Sequence, residues 1–252
     1  MESTLTQFLA VNARLSKLSW QRPAWRDAYE GPISTNTTAN TNSRKDTMMD
    51  ILNTEQNPLV LLLQEPWVYH NDRQPLLHRE WRRISPVAES KVSKDKPRTC
   101  IYVCSFVPSR DIIIEERNSR LLTTITLELK INEKRSELTL KTLYNPPTSM
   151  KGIEQLREDL LHHEDRNTPT IIMMDANLHH RLWNTQGYHH THPQAKEFIT
   201  LYGSNGFKLI SPKRKPTYLG ATGTAKKIDL AWANLKASKL IEKCSISKEN
   251  HS

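Results

Sequence analysis

Apolar and polar positions along this chain repeat with two periods, and the switches between them outline its elements. From about Thr4 to Leu18 a weak helical period predicts an amphipathic helix, and "SWQRPAWRDAYEGP" after it reads as linker. In "KDTMMDILNT" (45–54), Met48, Ile51 and Leu52 fall at i, i+3 and i+4, which predicts a second helix. "LVLLLQ" (59–64) is short and wholly apolar, the pattern of a strand covered on both faces. "TCIYVCS" (99–105) alternates as a strand. "RLLTTITLELK" and "SELTLKTLYN" flank the polar "INEKR", predicting a hairpin whose loop is longer than the tightest turns. "MKGIEQLREDLLHH" offers Ile153, Leu156, Leu160 and Leu161 to one helical face, and the strand "TIIMM" (170–174) follows. "QAKEFITLYGSNG" carries Ala195, Phe198, Ile199 and Tyr202 at helical spacing, with glycines to stop it. "KIDLAWA" and "KCSIS" are the last strands. The chain mixes βα units with antiparallel hairpins, so a helix-covered pair of sheets is expected rather than one parallel sheet. Residues 1–32 stand apart as an arm or linker, and 33–252 form one domain.

Composition narrows the class. At 252 residues, 37% hydrophobic and 25% charged, the chain has the balance of a globular domain with a sizeable core. It contains no apolar run near the roughly 20 residues that cross a bilayer. The first thirty residues lack the apolar stretch of a secretory signal, and Glu2, Asp27 and Glu30 argue against a transit peptide. Cys100, Cys104 and Cys244 form neither a zinc nor a redox spacing. Cys100 and Cys104 share a strand face at roughly 13 Å, too far for a disulfide. A reducing compartment, nucleus or cytoplasm, is expected, with no membrane partner. The net charge of +9 says more, because a basic surface speeds encounter with polyanions such as nucleic acid.

Candidate chemistry sits where strands end. "LLLQEPW" delivers Glu65 at the end of a buried strand halted by Pro66; it is either a carboxylate at a ligand-binding mouth or the first solvated residue. In "MMDANLHHRLWN", Asp175 and Asn177 fall on one side of a strand. There they could take a proton from water and hold a phosphoryl oxygen, or simply build a turn. "YNPP" (144–147) ends a strand with Tyr144, and "KKIDLAW" embeds Asp229 among apolar neighbours, where an acid needs a partner. Asn40 and Asn42 precede a helix, where capping is the plain alternative. The segments "HREWRRISP" (78–86) and "SPKRKPTYLG" (211–220) mix cations with an aromatic, which suits phosphate contact plus stacking or a solvated loop.

Taken in order, "NTNSRKD", "LLLQEPW", "LYNPP", "MMDANLHHRLWN" and "PTYLGATGTAKKIDLAW" resemble the endonuclease/exonuclease/phosphatase superfamily over about residues 33–252. Within it the chain looks like the apurinic-endonuclease-like domain of fungal non-LTR (LINE-type, Tad-like) retrotransposons. The resemblance implies an α/β, DNase-like four-layered sandwich: two mostly antiparallel sheets face to face with helices outside. It implies Mg²⁺, with Mn²⁺ as a substitute, held by Glu65 with Asn40 and Asn42; the family's usual residue at Asn42 is Asp. It further implies that Tyr144 hydrogen-bonds the scissile phosphate, Asp175 activates water, Asn177 orients phosphate, and Asp229 orients a catalytic histidine. Around that centre His180, Trp183, Asn184, Arg214, Lys215 and Thr217 would meet DNA. A reverse transcriptase encoded downstream would use the nicked end.

The pattern departs from the family at "CSISKENHS", where the closing Ser-Asp-His is absent and His251 reads as the residue upstream of that motif. The expectations are therefore a missing Asp–His pair, a missing last strand with a bare sheet edge, and doubtful turnover. A remnant that at most binds DNA, and a phosphodiesterase acting on a lipid or inositol phosphate, are the alternatives. His179, His180, His189, His190 and His192 crowd one stretch, but no HExxH or Cys/His spacing accompanies them, and a DNA-facing loop is preferred to zinc.

Overall fold

The computed structural model describes residues 8–13, 36–40, 44–54, 60–86, 96–131, 134–162, 168–184, 190–219 and 225–247. Two six-stranded sheets dominate. The first comprises β1 (Phe8–Ala13), β2 (Asn36–Asn40), β3 (Val60–Gln64), β4 (Trp81–Ile84), β5 (Thr99–Cys104) and β14 (Ile241–Ser247), in the order β14-β1-β2-β3-β5-β4. The second comprises β6 (Ile112–Ile114), β7 (Leu122–Ile131), β8 (Lys134–Tyr144), β9 (Thr170–Asp175), β10 (Phe207–Leu209) and β13 (Asp229–Asn234), in the order β10-β13-β9-β8-β7-β6. A small pair, β11 (Tyr218–Leu219) and β12 (Ala225–Lys226), lies between β10 and β13 in sequence. The helices are α1 (Lys45–Thr54), α2 (Lys151–His162), α3 (Pro193–Ser204) and the short α4 (Leu235–Ser238).

Period-two alternation builds the layers. On β3, Val60 and Leu62 face the second sheet with Ile101 and Val103, meeting Ile125, Leu127, Leu140, Ile171, Met173, Ala231 and Ala233. The intervening Leu61 and Leu63 face outward and join Cys100 and Tyr102 beneath Met48, Ile51 and Leu52 of α1. On the other flank, Leu143, Ile172, Met174, Leu230 and Trp232 face Ile153, Leu156 and Leu160 of α2 and Phe198 and Tyr202 of α3. Each such side chain contributes about 1.5–3 kcal/mol on burial, so three stacked cores rather than local propensity fix the architecture. The result is the expected helix–sheet–sheet–helix sandwich. Among the described residues only β2·β3 and β8·β9 pair in parallel.

Several expectations are corrected. The helix expected over 4–18 is corrected in its described part: residues 8–13 form β1, antiparallel to both β14 and β2, and the rest of that span lies outside the described residues. Part of the presumed arm thus belongs to the first sheet. Among the described residues the first sheet ends at β14, which pairs with β1. "INEKR" is largely ladder, because β7 and β8 pair out to Ile131 and Lys134. "HREWRRISP" contributes an edge strand whose Trp81 is buried, its indole N–H donating to the Leu52 carbonyl at 3.0 Å, so this aromatic cannot stack on a base. The three cysteines are free thiols. Among the described residues no helix is long and apolar enough to cross a membrane.

Gly152 sets how α2 approaches the second sheet. A Cβ there would lie 2.5 Å from the Tyr144 carbonyl oxygen and 3.0 Å from Asn145 Cα. The helix start therefore presses directly on the end of β8.

Candidate active site

Three strand ends make the rim of the second sheet. Tyr144 on β8 is level with Asp175 on β9, and Asp175 is level with Asp229 on β13. Register neighbours share a face, and here it is the one turned toward the first sheet, with Met173 and Ala231 one step below. Across the gap β3 ends at Gln64 and Glu65. Beneath the rim the sheets are joined by polar contacts. Gln64 Nε2 donates to Thr142 Oγ1 at 2.8 Å, and the Thr99 and Thr123 hydroxyls meet at 2.8 Å. All four are buried, so the floor of the gap is a set of satisfied hydrogen bonds that keeps the sheets at fixed spacing.

Glu65 and Asn177 both carry positive φ, 48° and 47°. Left-handed backbone at non-glycine residues costs energy and tends to persist where surroundings hold it. At Glu65 the backbone is tied across the sheet, its N–H donating to the Arg98 carbonyl at 2.8 Å. The Glu65 carboxylate accepts from Arg98 Nη1 at 2.8 Å and from the Tyr144 phenol. Burial, then the Glu65 charge, pushes the Tyr144 phenol well above its ordinary range, so it stays a donor at neutral pH. Asp175 is only 2% exposed. Burial raises the Asp229 carboxyl to about 7, against the lowering effects of the Thr217 hydroxyl and Lys227. Lys227 is itself fully buried, donates to the Pro212 carbonyl, and is lowered to about 8 by burial.

The turn after β9 is tied to the turn after β8. Asn145 N–H donates to the Asp175 carbonyl at 2.9 Å, Asn145 Nδ2 to the Ala176 carbonyl at 3.1 Å, and Asn177 Nδ2 to the Asn145 carbonyl at 3.0 Å. The structure thus brings Glu65, Tyr144, Asp175, Asn177 and Asp229 to one end of the sandwich. Asn40 ends β2 level with Gln64, at the same end; Asn42 lies outside the described residues.

The six residues expected to face DNA divide evenly. Arg214 and Lys215 are exposed and His180 is half-exposed. Trp183 is 0% exposed, donates its indole N–H to the Leu178 carbonyl at 3.0 Å, and packs edge-on against Phe198. It is a core residue, which corrects the expectation that it stacks on a base. Asn184 is buried between the backbones of His180 and Lys227. Thr217 is buried too, its hydroxyl accepting from the Ile228 and Asp229 amides at 3.1 Å. Asn184 and Thr217 position the site instead of touching a ligand. Arg214 N–H donates to the Trp183 carbonyl at 3.2 Å, which lays the basic 211–217 loop against the 178–184 turn.

His179, His190 and His192 cluster, with ring centroids 4.8 to 6.3 Å apart. Burial, then neighbouring His192, Lys226 and His190, lowers His179 to about 4, so the cluster's centre is neutral at physiological pH. Among the described residues no group of three or more His, Cys, Asp or Glu is arranged to hold a metal ion.

Sequence reasoning missed Arg98, Asn145, Gln64 and Lys227. The signal for Arg98 is register alone: Gln64 pairs with Thr99, which sets Glu65 opposite Arg98.

Two sheets packed face to face with helices outside make this a DNase-like α/β sandwich. A family model described as endonuclease-reverse transcriptase matches residues 138–252. Among solved structures, the endonuclease domain of TRAS1, a telomere-specific non-LTR retrotransposon, is similar with a TM-score of 0.63 at 16% identity, covering 81% of this chain and 87% of that one. An AP endonuclease from Archaeoglobus fulgidus gives 0.52 at 15% identity over 81% and 87%. The Xenopus laevis APE2 catalytic domain gives 0.56 at 12% over 81% and 83%. No curated protein matches the chain. The fold of this chain is thus similar to that of the TRAS1 endonuclease domain and of the AP endonucleases.

Proposed function

We propose that this chain is a phosphodiester hydrolase that nicks one strand of DNA and leaves a 3′-hydroxyl, the end that a reverse transcriptase encoded downstream would extend. One observation carries the reading: Tyr144, Asp175 and Asp229 lie in one register line facing Glu65 across a gap with a rigid polar floor. The basic 211–217 loop lies against the 178–184 turn and is anchored to Asp229 through Thr217. DNA tracking this loop would reach the rim. The net charge of +9 favours that encounter.

In this reading Asp175 accepts the proton of the attacking water. The Tyr144 phenol, protonated at neutral pH, donates to a phosphate oxygen, and the Asn177 amide restrains the turn that carries Asp175. Asp229, raised toward neutrality, serves as the protonatable neighbour that the family reserves for orienting a histidine.

Hard oxygen donors at the rim fit Mg²⁺ or Mn²⁺ in kind: Glu65 would hold the ion, with Asn40 and Asn42 beside it. A single carboxylate with water and phosphate completing the shell is a usual Mg²⁺ arrangement. When bound, the ion supplies charge neutralisation on the phosphate oxygens and leaving alkoxide.

The test is conversion of supercoiled plasmid to open circles by the purified chain with Mg²⁺, abolished by Asp175→Ala. No conversion with protein in excess over plasmid rejects the reading. A second reading, DNA binding without turnover, is favoured by the Arg98 pairing of Glu65. It expects salt-sensitive binding that survives both EDTA and Asp175→Ala.

A further inference from the structure

Arg98 stands in the middle of the proposed site, yet no step of the hydrolysis uses it. Backbone geometry puts it there. Beyond the last rung of the β3·β5 ladder, Glu65 N–H donates to the Arg98 carbonyl at 2.8 Å, so the two side chains leave their strands facing each other. The guanidinium then meets both partners a phosphodiesterase needs. Its Nη1 is 2.8 Å from Glu65 Oε1, and its Cζ lies 5.0 Å from the centre of the Tyr144 ring. The Arg98 side chain is 36% exposed and the Glu65 carboxylate 19%, which puts the cation on the open side of the carboxylate.

A divalent ion must compete with that guanidinium for Glu65, because the two positive charges would repel at contact distance. The arginine side chain can turn outward on its own rotatable bonds without disturbing the backbone link. Its planar fork matches phosphate oxygens in two-point hydrogen bonding.

We propose that Arg98 is an exchangeable cation of this site: it caps Glu65 in the substrate-free protein, yields the carboxylate to a divalent ion, and moves to the scissile phosphodiester. The inference rests on the phosphodiesterase reading for its second half only. No bond is made or broken in the exchange. One positive charge replaces another at Glu65, and the displaced one pairs with the incoming phosphate. The site would then hold stray divalent ions less tightly in the absence of nucleic acid and favour ion and phosphate together.

Two binding measurements on the full chain decide it. Free Mn²⁺, followed by its paramagnetic resonance, is titrated with wild type, Arg98→Ala, Arg98→Gln and Glu65→Gln. Both arginine variants are expected to bind Mn²⁺ about two- to fivefold more tightly, the range of a partly exposed ion pair. Glu65→Gln is expected to lose the site. Unchanged or weaker binding in both arginine variants, absence of Mn²⁺ binding in all proteins, or a site that survives Glu65→Gln overturns the exchange. For the second half, duplex DNA binding is measured against salt in Ca²⁺. Arg98→Ala should lower the log–log slope by about one phosphate contact; an unchanged slope overturns the transfer to phosphate. Plasmid nicking is scored separately. A wild type that never nicks rejects the nuclease reading while the Mn²⁺ comparison still judges the exchange. Nicking without any Mn²⁺ gain in the variants rejects the exchange alone.

Discussion

Replacing Gly152 by alanine tests how tightly α2 is pressed against the candidate site. The new Cβ would sit 2.5 Å from the Tyr144 carbonyl oxygen, 3.0 Å from Asn145 Cα and 3.1 Å from the Tyr144 carbonyl carbon. Every one of these is backbone, so no side chain can swing away, and a shift of about 1 Å is needed to reach ordinary contact. Forced overpacking of this kind costs about 1–3 kcal/mol, and a rigid backbone neighbour argues for the upper half. Alanine's better helix propensity returns at most about 1 kcal/mol. The net is a loss of about 2 kcal/mol, or about 4–8 °C in Tm for a domain of this size. The displaced residues are Tyr144 and Asn145, whose amide holds the Asp175 carbonyl at 2.9 Å, so nicking should fall by about 100-fold. Gly203→Ala is the control. It lies in α3 with nothing within 4 Å of its added Cβ, and its Tm should be unchanged or slightly raised. Urea and thermal unfolding of both variants give the answer. A Gly152→Ala protein as stable as wild type and nicking within twofold of it would refute the packing argument.

Lys141, fully buried on β8, pairs with Asp159 of α2 at 2.5 Å, and Lys141→Met should cost about 3–5 kcal/mol in urea unfolding by leaving a buried carboxylate unpaired. Adding Asp159→Leu should recover much of that loss. Trp183→Ala should cost about 3–5 kcal/mol because the indole fills the α3 core; a variant of unchanged stability with weakened DNA binding would instead make it a surface reader. Asp229 is an acid whose folded pKa is raised to about 7 above its unfolded value. The folded state therefore binds the extra proton between about pH 4 and 7, and stability falls as pH rises through that window. Asp229→Asn should flatten the fall in urea midpoints measured at pH 5 and pH 8.

Where the sequence was legible, the cause was local. The helices α1, α2 and α3 announce themselves because one apolar stripe each must meet a sheet, and β3, β5 and β9 because apolar runs of five or six residues need cover on both faces. Tyr144, Asp175 and Asp229 could be singled out since each sits at the end of such a run. What could not be read was set by partners far away in the chain. "FLAVNA" is compatible with a helix on its own and becomes β1 only through β14 and β2. Arg98 gains its place from antiparallel register with β3, which no local pattern encodes. Trp183 sits in an irregular turn, where no period tells which way a side chain points, so its aromatic character was as consistent with a base platform as with a core.

The position of β1 carries a consequence for how the molecule is made. Among the described residues β14 is hydrogen-bonded to the first sheet through β1 alone, and Phe8 is matched with Ser247. A ribosome would release one half of this contact long before the other, and closing so long a loop is slow. β1 must wait, half-satisfied by β2, until β14 has been made. A fragment cut to start at residue 33 would orphan β14 for good, leaving a sticky fringe where the intact chain has a closed seam.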